Sequence, residues 1–358
     1  MDGMMKVLIA MSGGVDSSVA AKLLCDEGCE CIGCTMKLYD NCDAGLPRGR
    51  TCCSLDDVED ARSVAFSLGM RYYVFNFKDD FREKVIKKFA SGYLRGQTPN
   101  PCIDCNRYMK FDKLLERAKL LGCDKLATGH YARIEFDGEK YRLKKALDKS
   151  KDQSYVLYML TQEQLAHTLF PLGSLHKTDT RAIADAADLS SARKPDSQDI
   201  CFVPDGDYAA AIERLTGEKA PCGDFIDASG KILGTHRGIT HYTVGQHRGL
   251  GLSLPERRYV CGIDAESGTV TLGGSDELYS STAEVHGFNW ISGETPSEPI
   301  RCTAKIRYRQ PEQPATAIAH KDGSITIQFD APQRAVTPGQ AAVLYDGDTV
   351  LGGGEIVR

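Results

Sequence analysis

Ala10-Met11-Ser12-Gly13-Gly14-Val15-Asp16-Ser17-Ser18 is the most informative stretch of the chain. It follows a short apolar run, Lys6–Ala10, that predicts a buried strand. It precedes Val15–Gly28, where apolar residues recur at helical spacing. Glycines let the backbone approach a ligand closely, and the first N–H groups of a helix are unpaired and carry the positive end of its dipole. We therefore predict that this strand, turn and helix start form a phosphate-binding cradle.

Asp16 is the one acidic residue within this loop. A carboxylate alone would repel a phosphate, whereas a Mg²⁺ ion between the two groups would make the pairing favourable. We therefore expect Asp16 to be a magnesium ligand through ATP. The alternative is an ordinary junction between strand and helix in which a serine caps the helix.

The whole chain has the composition of a soluble globular protein. It has 358 residues, with 42% hydrophobic and 26% charged side chains, and this length predicts two or three domains. The apolar runs are too short to cross a bilayer, and no signal peptide is visible. We therefore expect a cytoplasmic protein, and a monomer. The formal net charge of −5 argues against indiscriminate binding of nucleic acid but leaves room for a local basic face.

The pattern along the chain divides it into three parts. Residues 1–205 alternate strand and helix patterns, which predicts a doubly wound parallel sheet of α/β class. Residues 206–280 predict a small β-rich central domain, and residues 281–358 predict a C-terminal β-barrel. Ligands of parallel sheets bind outside the carboxyl ends of the strands. Gly13, Met36 and Gly129-His130 follow predicted strands, so we expect them to converge on one crevice.

Two cysteines stand in Gln97–Asn106, which we predict to be a loop stiffened by prolines, before a helix over Tyr108–Leu121. The spacing Cys102-x-x-Cys105 allows a redox pair, half of a metal site, or a nucleophile with a bystander. A cation such as Lys110 would stabilise a Cys105 thiolate. Cys201, in a polar loop of its own, is the other candidate nucleophile. An ATP loop together with such thiols suggests adenylation followed by sulfur transfer.

Residues 301–309 predict a strand with one basic face, because Arg301, Lys305, Arg307 and Arg309 alternate with apolar residues. The same stretch contains no acidic residue. Cations on one face without a counter-charge favour contacts with phosphates over an ordinary solvated surface. The segment 237–258 adds further positive charge.

A set of motifs resembles the tRNA-specific 2-thiouridylase family, of the PP-loop ATP pyrophosphatase superfamily, over essentially the whole chain. The motifs are Ser12-Gly-Gly-Val-Asp16-Ser17, Thr98-Pro-Asn-Pro101, Cys105-Asn106, Ala127-Thr-Gly-His-Tyr131, Lys151-Asp-Gln-Ser-Tyr155, Ile200-Cys201-Phe202, Arg307-Tyr-Arg309 and Thr337-Pro-Gly-Gln340. The first motif is specific by itself, and the others gain specificity from occurring together in this order.

The resemblance implies thiolation of the wobble uridine of tRNA at C2, with a cysteine desulfurase or a sulfur-relay protein as donor. It implies that Cys201 carries a persulfide and that Cys105 is the partner nucleophile, the two forming a disulfide as sulfur leaves. The residues implied to hold ATP are Ala10, Met11, Ser12, Gly13, Gly14, Val15, Asp16, Ser17, Met36 and Gly129. Asn100, Pro101 and Cys102 would lie at the target base. The residues implied to contact tRNA elsewhere are His130, Lys151, Asp152, Gln153, Arg307, Tyr308 and Gln340.

Three alternatives stay open at this point. Some family members carry Asp where this chain has Cys102, so a carboxylate acid–base role does not transfer to this position. Cys102, Cys105 and Cys201 would instead suit an iron–sulfur cluster with one open iron. Two other classes of protein also fit the nucleotide loop: an amide ligase that adenylates a carboxylate, and a tRNA-binding module with an inert nucleotide fold. Release of pyrophosphate would separate them.

Overall fold

A computed structural model describes residues 4–39, 55–195, 200–203 and 205–358. The sequence predicts a polar loop over 40–51 and a helix-capping pair of Ser54 and Asp57, and both the loop and Ser54 lie outside these ranges. Within them, every helix falls short of the length and apolar content that a membrane span requires.

The N-terminal part contains the predicted parallel sheet. Its strands are β1 Lys6–Ala10, β2 Glu30–Lys37, β3 Arg71–Asn76, β4 Lys125–Thr128 and β7 Thr168–Leu169. The order across the sheet is β3-β2-β1-β4-β7, and all four pairings are parallel. Successive side chains of a strand point to opposite faces. Accordingly Leu8 packs into one core and Val7 and Ile9 into another, so this sheet is buried on both faces.

Helices cover this sheet. They are α1 Val15–Asp26, α2 Leu55–Ser67, α3 Lys78–Phe81, α4 Lys87–Leu94, α5 Pro101–Asp104, α6 Leu115–Leu120, α7 Gln162–Ala166 and α8 Lys177–Ala186. Two of these runs are continued by π-helical turns, at Arg82–Ile86 between α3 and α4 and at Cys105–Leu114 between α5 and α6. A 3₁₀ turn spans Ser154–Leu157. The sequence from Lys151 to about Leu189 predicts a single helical region, but the short strand β7 interrupts it.

The predicted loop Gln97–Asn106 is wrong in its second half. Helix α5 begins at Pro101, and Asn100 caps it by accepting a hydrogen bond from the Cys102 N–H at 3.1 Å. Proline is well suited to the first position of a helix, because its missing N–H would be unpaired there anyway. Both Cys102 and Cys105 therefore lie on a helix.

The central part consists of helix α9 Tyr208–Thr216 and a four-stranded sheet. Its strands are β8 Gly223–Ile226, β9 Ile232–His236, β10 Tyr259–Asp264 and β11 Thr269–Gly273, in the order β10-β11-β8-β9. Phe225, Val260, Val270 and Leu272 form its small core. Short 3₁₀ turns lie at Ile239–His241 and Asp276–Leu278.

The C-terminal part is a closed six-stranded barrel, as the sequence predicts. Its strands are β12 Tyr279–Trp290, β13 Ile300–Lys305, β14 Gln313–Ala319, β15 Ile325–Arg334, β16 Ala341–Asp346 and β17 Thr349–Ile356. The order β12-β15-β14-β13-β16-β17 closes through pairing of β17 with β12.

The sequence of Ile134–Leu143 predicts a hairpin with Asp137-Gly138 as its turn, and the structure confirms it as β5 Ala132–Phe136 and β6 Tyr141–Lys145. It does not extend the parallel sheet. Instead Lys144 of β6 pairs with Thr349 of β17, and Arg133 forms an ion pair with Asp348 at 2.5 Å. The hairpin therefore attaches the N-terminal part of the chain to the barrel.

Candidate active site

The glycine-rich loop lies between β1 and α1. Gly14 is the N-cap of α1, and among the described residues no side chain caps this helix. The hydroxyl groups of Ser17 and Ser18 instead donate to the Gly14 carbonyl, at 3.1 and 3.0 Å. The alternative of a helix capped by a serine is therefore wrong. The first N–H groups of α1 keep the donor capacity that a phosphate uses.

Two glycines make the loop as tight as an anion cradle requires. Gly13 has φ +73°, and a Cβ there would lie 2.4 Å from the Asp57 carbonyl oxygen. A Cβ on Gly129 would lie 2.8 Å from the Ser17 nitrogen. Since real Cβ atoms do not approach backbone this closely, both positions exclude any larger residue. The two glycines thus let the loop pack directly against the backbone of α2 at Asp57 and of α1 at Ser17.

The loop, Met36 and Gly129 lie at one edge of the sheet. Ala10 of β1 pairs with Cys34 of β2 and with Thr128 of β4, and both pairings are parallel. The residues that directly follow these positions therefore leave the sheet on the same side. This is the crevice that the strand order predicts, and it suits a nucleotide.

Asp16 has two partners that sequence analysis missed. Its Oδ1 atom accepts a hydrogen bond from the Tyr131 hydroxyl at 2.8 Å and from the Lys177 ammonium at 2.6 Å. Lys177 opens helix α8 and lies 161 positions along the chain, so no local pattern points to it. The Asp16 side chain is still one-third exposed. A carboxylate oxygen beside a phosphate site fits Mg²⁺, which takes few protein ligands.

Cys102 and Cys105 differ in their surroundings. Cys102 is exposed, whereas Cys105 is partly buried and packs against the main core. Burial raises the pKa of the Cys105 thiol to about 11, and the Lys110 ammonium offsets only part of this. We expected the cation to stabilise a thiolate. In this structure its effect is present but is outweighed by loss of solvent.

Cys201 packs against the same core as Cys105. Its carbonyl accepts a hydrogen bond from the Tyr39 hydroxyl at 2.8 Å. Within the ranges that the structure describes, no three His, Cys, Asp or Glu residues are grouped so that they could hold a metal ion. Cys102, Cys105 and Cys201 therefore do not form a preassembled cluster site here.

His130 is buried beneath the crevice. Its Nε2 atom lies 3.3 Å from the Lys110 ammonium, and its Nδ1 atom lies 2.6 Å from the Thr128 hydroxyl. Burial holds the pKa of the ring well below its usual value, and Lys110 lowers it further. Because an ammonium can only donate, Nε2 accepts, and the neutral ring donates from Nδ1 to Thr128. The tRNA contact implied for His130 stays a prediction.

The segment before α5 is held by the barrel. The Thr98 N–H donates to the Pro338 carbonyl at 2.9 Å, and the Gln340 amide donates to the Thr98 carbonyl at 2.5 Å. The Thr98 hydroxyl also lies 3.3 Å from that of Thr243 in the central part. All three parts of the chain therefore fix the position of Asn100 and Pro101.

The remaining tRNA candidates lie around the 3₁₀ turn at Ser154. Asp152 accepts hydrogen bonds from the Ala146 N–H and the Ser154 hydroxyl, and Gln153 accepts one from the Tyr131 N–H. These two side chains support the loop itself. Lys151 is partly exposed. The Tyr308 hydroxyl, which is accessible, lies 3.5 Å from the Asp152 carbonyl.

The strand predicted over 301–309 is confirmed for residues 301–305, but the predicted basic face without counter-charge is wrong. Strand β13 ends at Lys305, and Arg301 is paired with Asp330 of the neighbouring strand β15. The Arg307 guanidinium points inward and donates to the Val244 carbonyl at 3.0 Å and to the Thr337 hydroxyl at 2.5 Å. The counter-charge was invisible because it comes from another strand. This segment is therefore not a row of free cations.

A cavity of about 250 Å³ separates helix α5 from the barrel. Asn100, Asp104 and Arg107 line one side of it, and His286 and Glu355 line the other. Burial raises the pKa of the Asp104 carboxyl, which the Lys88 ammonium at 2.8 Å partly offsets. This cavity lies beside the residues implied at the target base.

Three family models match the chain. They are described as the tRNA methyl transferase HUP domain over residues 5–205, the tRNA methyl transferase PRC-barrel domain over residues 211–274, and the aminomethyltransferase beta-barrel domain over residues 280–356.

Curated relatives match over nearly the full length. The tRNA-specific 2-thiouridylase MnmA of Acetivibrio thermocellus is 52% identical, covering 98% of this chain and 99% of that protein. The tRNA-specific 2-thiouridylase MnmA 2 of Caldanaerobacter subterraneus subsp. tengcongensis is 51% identical, over 99% and 98%. The tRNA-specific 2-thiouridylase MnmA of Clostridioides difficile is 48% identical, over 99% and 98%.

Proposed function

The chain belongs to the tRNA-specific 2-thiouridylase family, and from this premise we propose that it transfers sulfur to C2 of the wobble uridine of tRNA at the expense of ATP. The observation that carries the proposal is the glycine-rich turn before α1, a helix start that no described side chain caps, together with two cysteines, Cys105 and Cys201, that pack on one core.

ATP binds at the carboxyl edge of the parallel sheet in this proposal. The pyrophosphate lies on the N–H groups around Gly13 and Gly14, where the α1 dipole favours negative charge. The residues that complete the ATP site are Ala10, Met11, Ser12, Val15, Asp16, Ser17, Met36 and Gly129. When bound, Mg²⁺ at Asp16 would neutralise phosphate charge.

The wobble uridine must leave its stack to reach this site, since an enzyme cannot act on a buried base. Asn100, Pro101 and Cys102 would lie beside it. The uridine O2 attacks the α-phosphate of ATP, an O–P bond forms, and pyrophosphate leaves. The C2 atom then carries AMP as a leaving group. The residues proposed to hold the rest of the tRNA are His130, Lys151, Asp152, Gln153, Arg307, Tyr308 and Gln340.

Sulfur transfer uses both thiols. The outer sulfur of a Cys201 persulfide attacks C2, and AMP leaves with the former O2. The Cys105 thiolate attacks the Cys201 sulfur, which breaks the S–S bond of the persulfide and leaves a Cys105–Cys201 disulfide. A dithiol reductant returns both cysteines to thiols. A cysteine desulfurase, directly or through a relay protein, reloads Cys201.

We propose three domains: residues 1–205 bind ATP and carry the catalytic residues, residues 206–280 form the small central domain, and residues 281–358 form a barrel that contacts tRNA. We also propose that the enzyme works as a monomer in the cytoplasm.

The cysteine assignments are tested by Cys201→Ser and Cys105→Ser. Both variants should lose 2-thiouridine formation while they still release pyrophosphate when tRNA is added. Cys222→Ser is the matched control, because Cys222 is an exposed thiol outside the site. Wild-type thiolation by either site variant without added sulfide would exclude these roles. A rate of pyrophosphate release that is the same with and without tRNA would instead favour a small-molecule ligase.

A further inference from the structure

Lys177 is a buried cation at the start of α8, and it is paired with Asp16 at the start of α1, the helix that follows the nucleotide loop. It is 8% exposed, and its ammonium lies 2.6 Å from Asp16 Oδ1. The Tyr131 hydroxyl donates to the same oxygen, and the Lys177 ammonium lies 5.7 Å from the centre of the Tyr131 ring. Asp16 belongs to the ATP site proposed above, but Lys177 and Tyr131 do not.

Burial of an ammonium is costly unless it is paired, and replacing such pairs by apolar residues is often stabilising. The pair therefore needs a reason beyond stability. Asp16 is in the first turn of α1, where the helix dipole already stabilises a carboxylate. A second positive group at Asp16 is thus not required to stabilise Asp16 itself.

The electrostatic balance of the loop supplies a reason. A lone carboxylate in the first turn would oppose a phosphate bound at the same N–H groups. Lys177 neutralises that carboxylate, so the helix start keeps its attraction for anions. Asp16, which is one-third exposed, in turn fixes where the ammonium lies.

We propose that Lys177 is a further ATP-site residue, positioned by Asp16, whose ammonium binds the pyrophosphate half of the nucleotide. The proposal rests on the proposed function only in taking this loop as the ATP site. It assigns the pair Asp16–Lys177 to phosphate binding, and it predicts no contribution to binding of the adenosine half.

The test is equilibrium binding of ATP, pyrophosphate and AMP to the full chain, without tRNA or a sulfur donor, in Mg²⁺ and in EDTA. Lys177→Met should raise the Kd of ATP and of pyrophosphate about tenfold or more, since hydrogen bonds to charged groups are strong. The Kd of AMP should change less than about threefold. Lys177→Arg should recover much of the lost affinity, because it keeps the charge.

The control variant is Lys22→Met. Lys22 lies on the same helix α1 and also pairs with an aspartate, Asp26, but this pair is on the surface at the far end. The affinities of Lys22→Met for ATP, pyrophosphate and AMP should equal those of the wild type. Lys177→Gln serves if Lys177→Met does not fold, because Gln keeps a donor for Asp16 and loses only the charge. Thermal unfolding of each variant establishes that it is folded.

Equal affinities for all three ligands in Lys177→Met or Lys177→Gln would overturn the proposal and leave Lys177 as a link between α8 and α1. An equal loss for AMP and pyrophosphate would overturn it as well, since a distorted loop acts in that way. Because no thiolation is measured, a failure of the tRNA assay leaves this result untouched. A loss of pyrophosphate affinity would conversely stand without any tRNA activity.

Discussion

At the scale of single residues, the surroundings of Cys105 decide when it can react. Only the thiolate is a nucleophile, and a pKa of about 11 keeps on the order of one thiol in a thousand ionised at pH 8. In the proposed reaction the approach of substrate has to favour the thiolate. The sequence predicts the reactive cysteine and a nearby lysine. It does not show that burial affects the pKa of Cys105 more than the charge of Lys110 does.

We predict that alkylation of Cys105 by iodoacetamide accelerates about tenfold per pH unit from pH 7 to pH 10. Lys110→Met should slow it further at pH 8, because removing a cation raises the pKa of a neighbouring thiol. Peptide mass spectrometry measures the rate, with the exposed Cys222 as an internal reference for the reagent. A plateau below pH 9 would contradict the raised pKa.

Arg307 is a second residue whose role the structure changes. Its guanidinium donates hydrogen bonds to the Val244 carbonyl in the central part. It also donates to the Ala335 carbonyl and the Thr337 hydroxyl in the barrel. In the described part of the chain its Nε is the one buried side-chain nitrogen or oxygen without a hydrogen-bond partner. The residue thus links two parts of the molecule in the absence of tRNA.

Arg307→Met should lower the free energy of unfolding by about 1–3 kcal/mol, because it leaves carbonyl groups without their donor. Urea denaturation measures this. Arg309→Ala, which changes an exposed arginine two positions away, should stay within about 0.5 kcal/mol of the wild type. Unchanged stability with weaker tRNA binding would mean that Arg307 acts only as a tRNA contact.

At the scale of elements, local patterns predict the strands and helices where the pattern is long. β1, α1, β2 and the hairpin β5–β6 lie within a few residues of their predicted positions. The failures have physical causes. β7 is only two residues long, α5 starts at a proline that also suits a loop, and β13 gives way to a bend at Ile306. Short elements are fixed by tertiary contacts that a local pattern does not contain.

The glycine loop allows a matched test at this scale. Gly13→Ala places a Cβ 2.4 Å from the Asp57 carbonyl oxygen, whereas Gly28→Ala, also at positive φ, meets nothing within 4 Å. Both should lose about 1 kcal/mol or more through backbone strain. Gly13→Ala should lose about 2 kcal/mol beyond that and should bind ATP more weakly. If the two variants lose the same free energy of unfolding in urea and bind ATP equally well, the loop at Gly13 is not tightly packed.

At the scale of the whole molecule, the site depends on contacts between distant segments. Thr98 is held by Pro338 and Gln340 of the barrel, and the β5–β6 hairpin pairs with β17. The sequence predicts each domain class because each has its own pattern. It does not predict how the domains contact each other, because no local pattern indicates that Thr98 and Gln340 form a hydrogen bond. The contact between Asp16 and Lys177 is unpredictable for the same reason.

This junction predicts that the barrel controls the segment at the target base. Gly339→Ala places a Cβ 2.8 Å from the Thr98 nitrogen at φ +87°, and should lower thiolation about tenfold or more while ATP affinity stays within about twofold. Gly347→Ala, at positive φ in open space of the same barrel, is the control. Initial rates of thiolation and nucleotide binding are the measurements. Equal thiolation rates of the two variants would contradict the claim that the barrel positions the segment at the target base.

The central claim is that the chain makes 2-thiouridine from ATP and a persulfide. Mass spectrometry of nucleosides, from tRNA incubated with anaerobically purified protein, ATP·Mg²⁺ and a cysteine desulfurase, tests it most directly. The same preparation is assayed for iron. The account predicts 2-thiouridine at the wobble position, dependent on ATP, from protein without iron. Pyrophosphate release without 2-thiouridine, or product only from iron-containing protein, would contradict it.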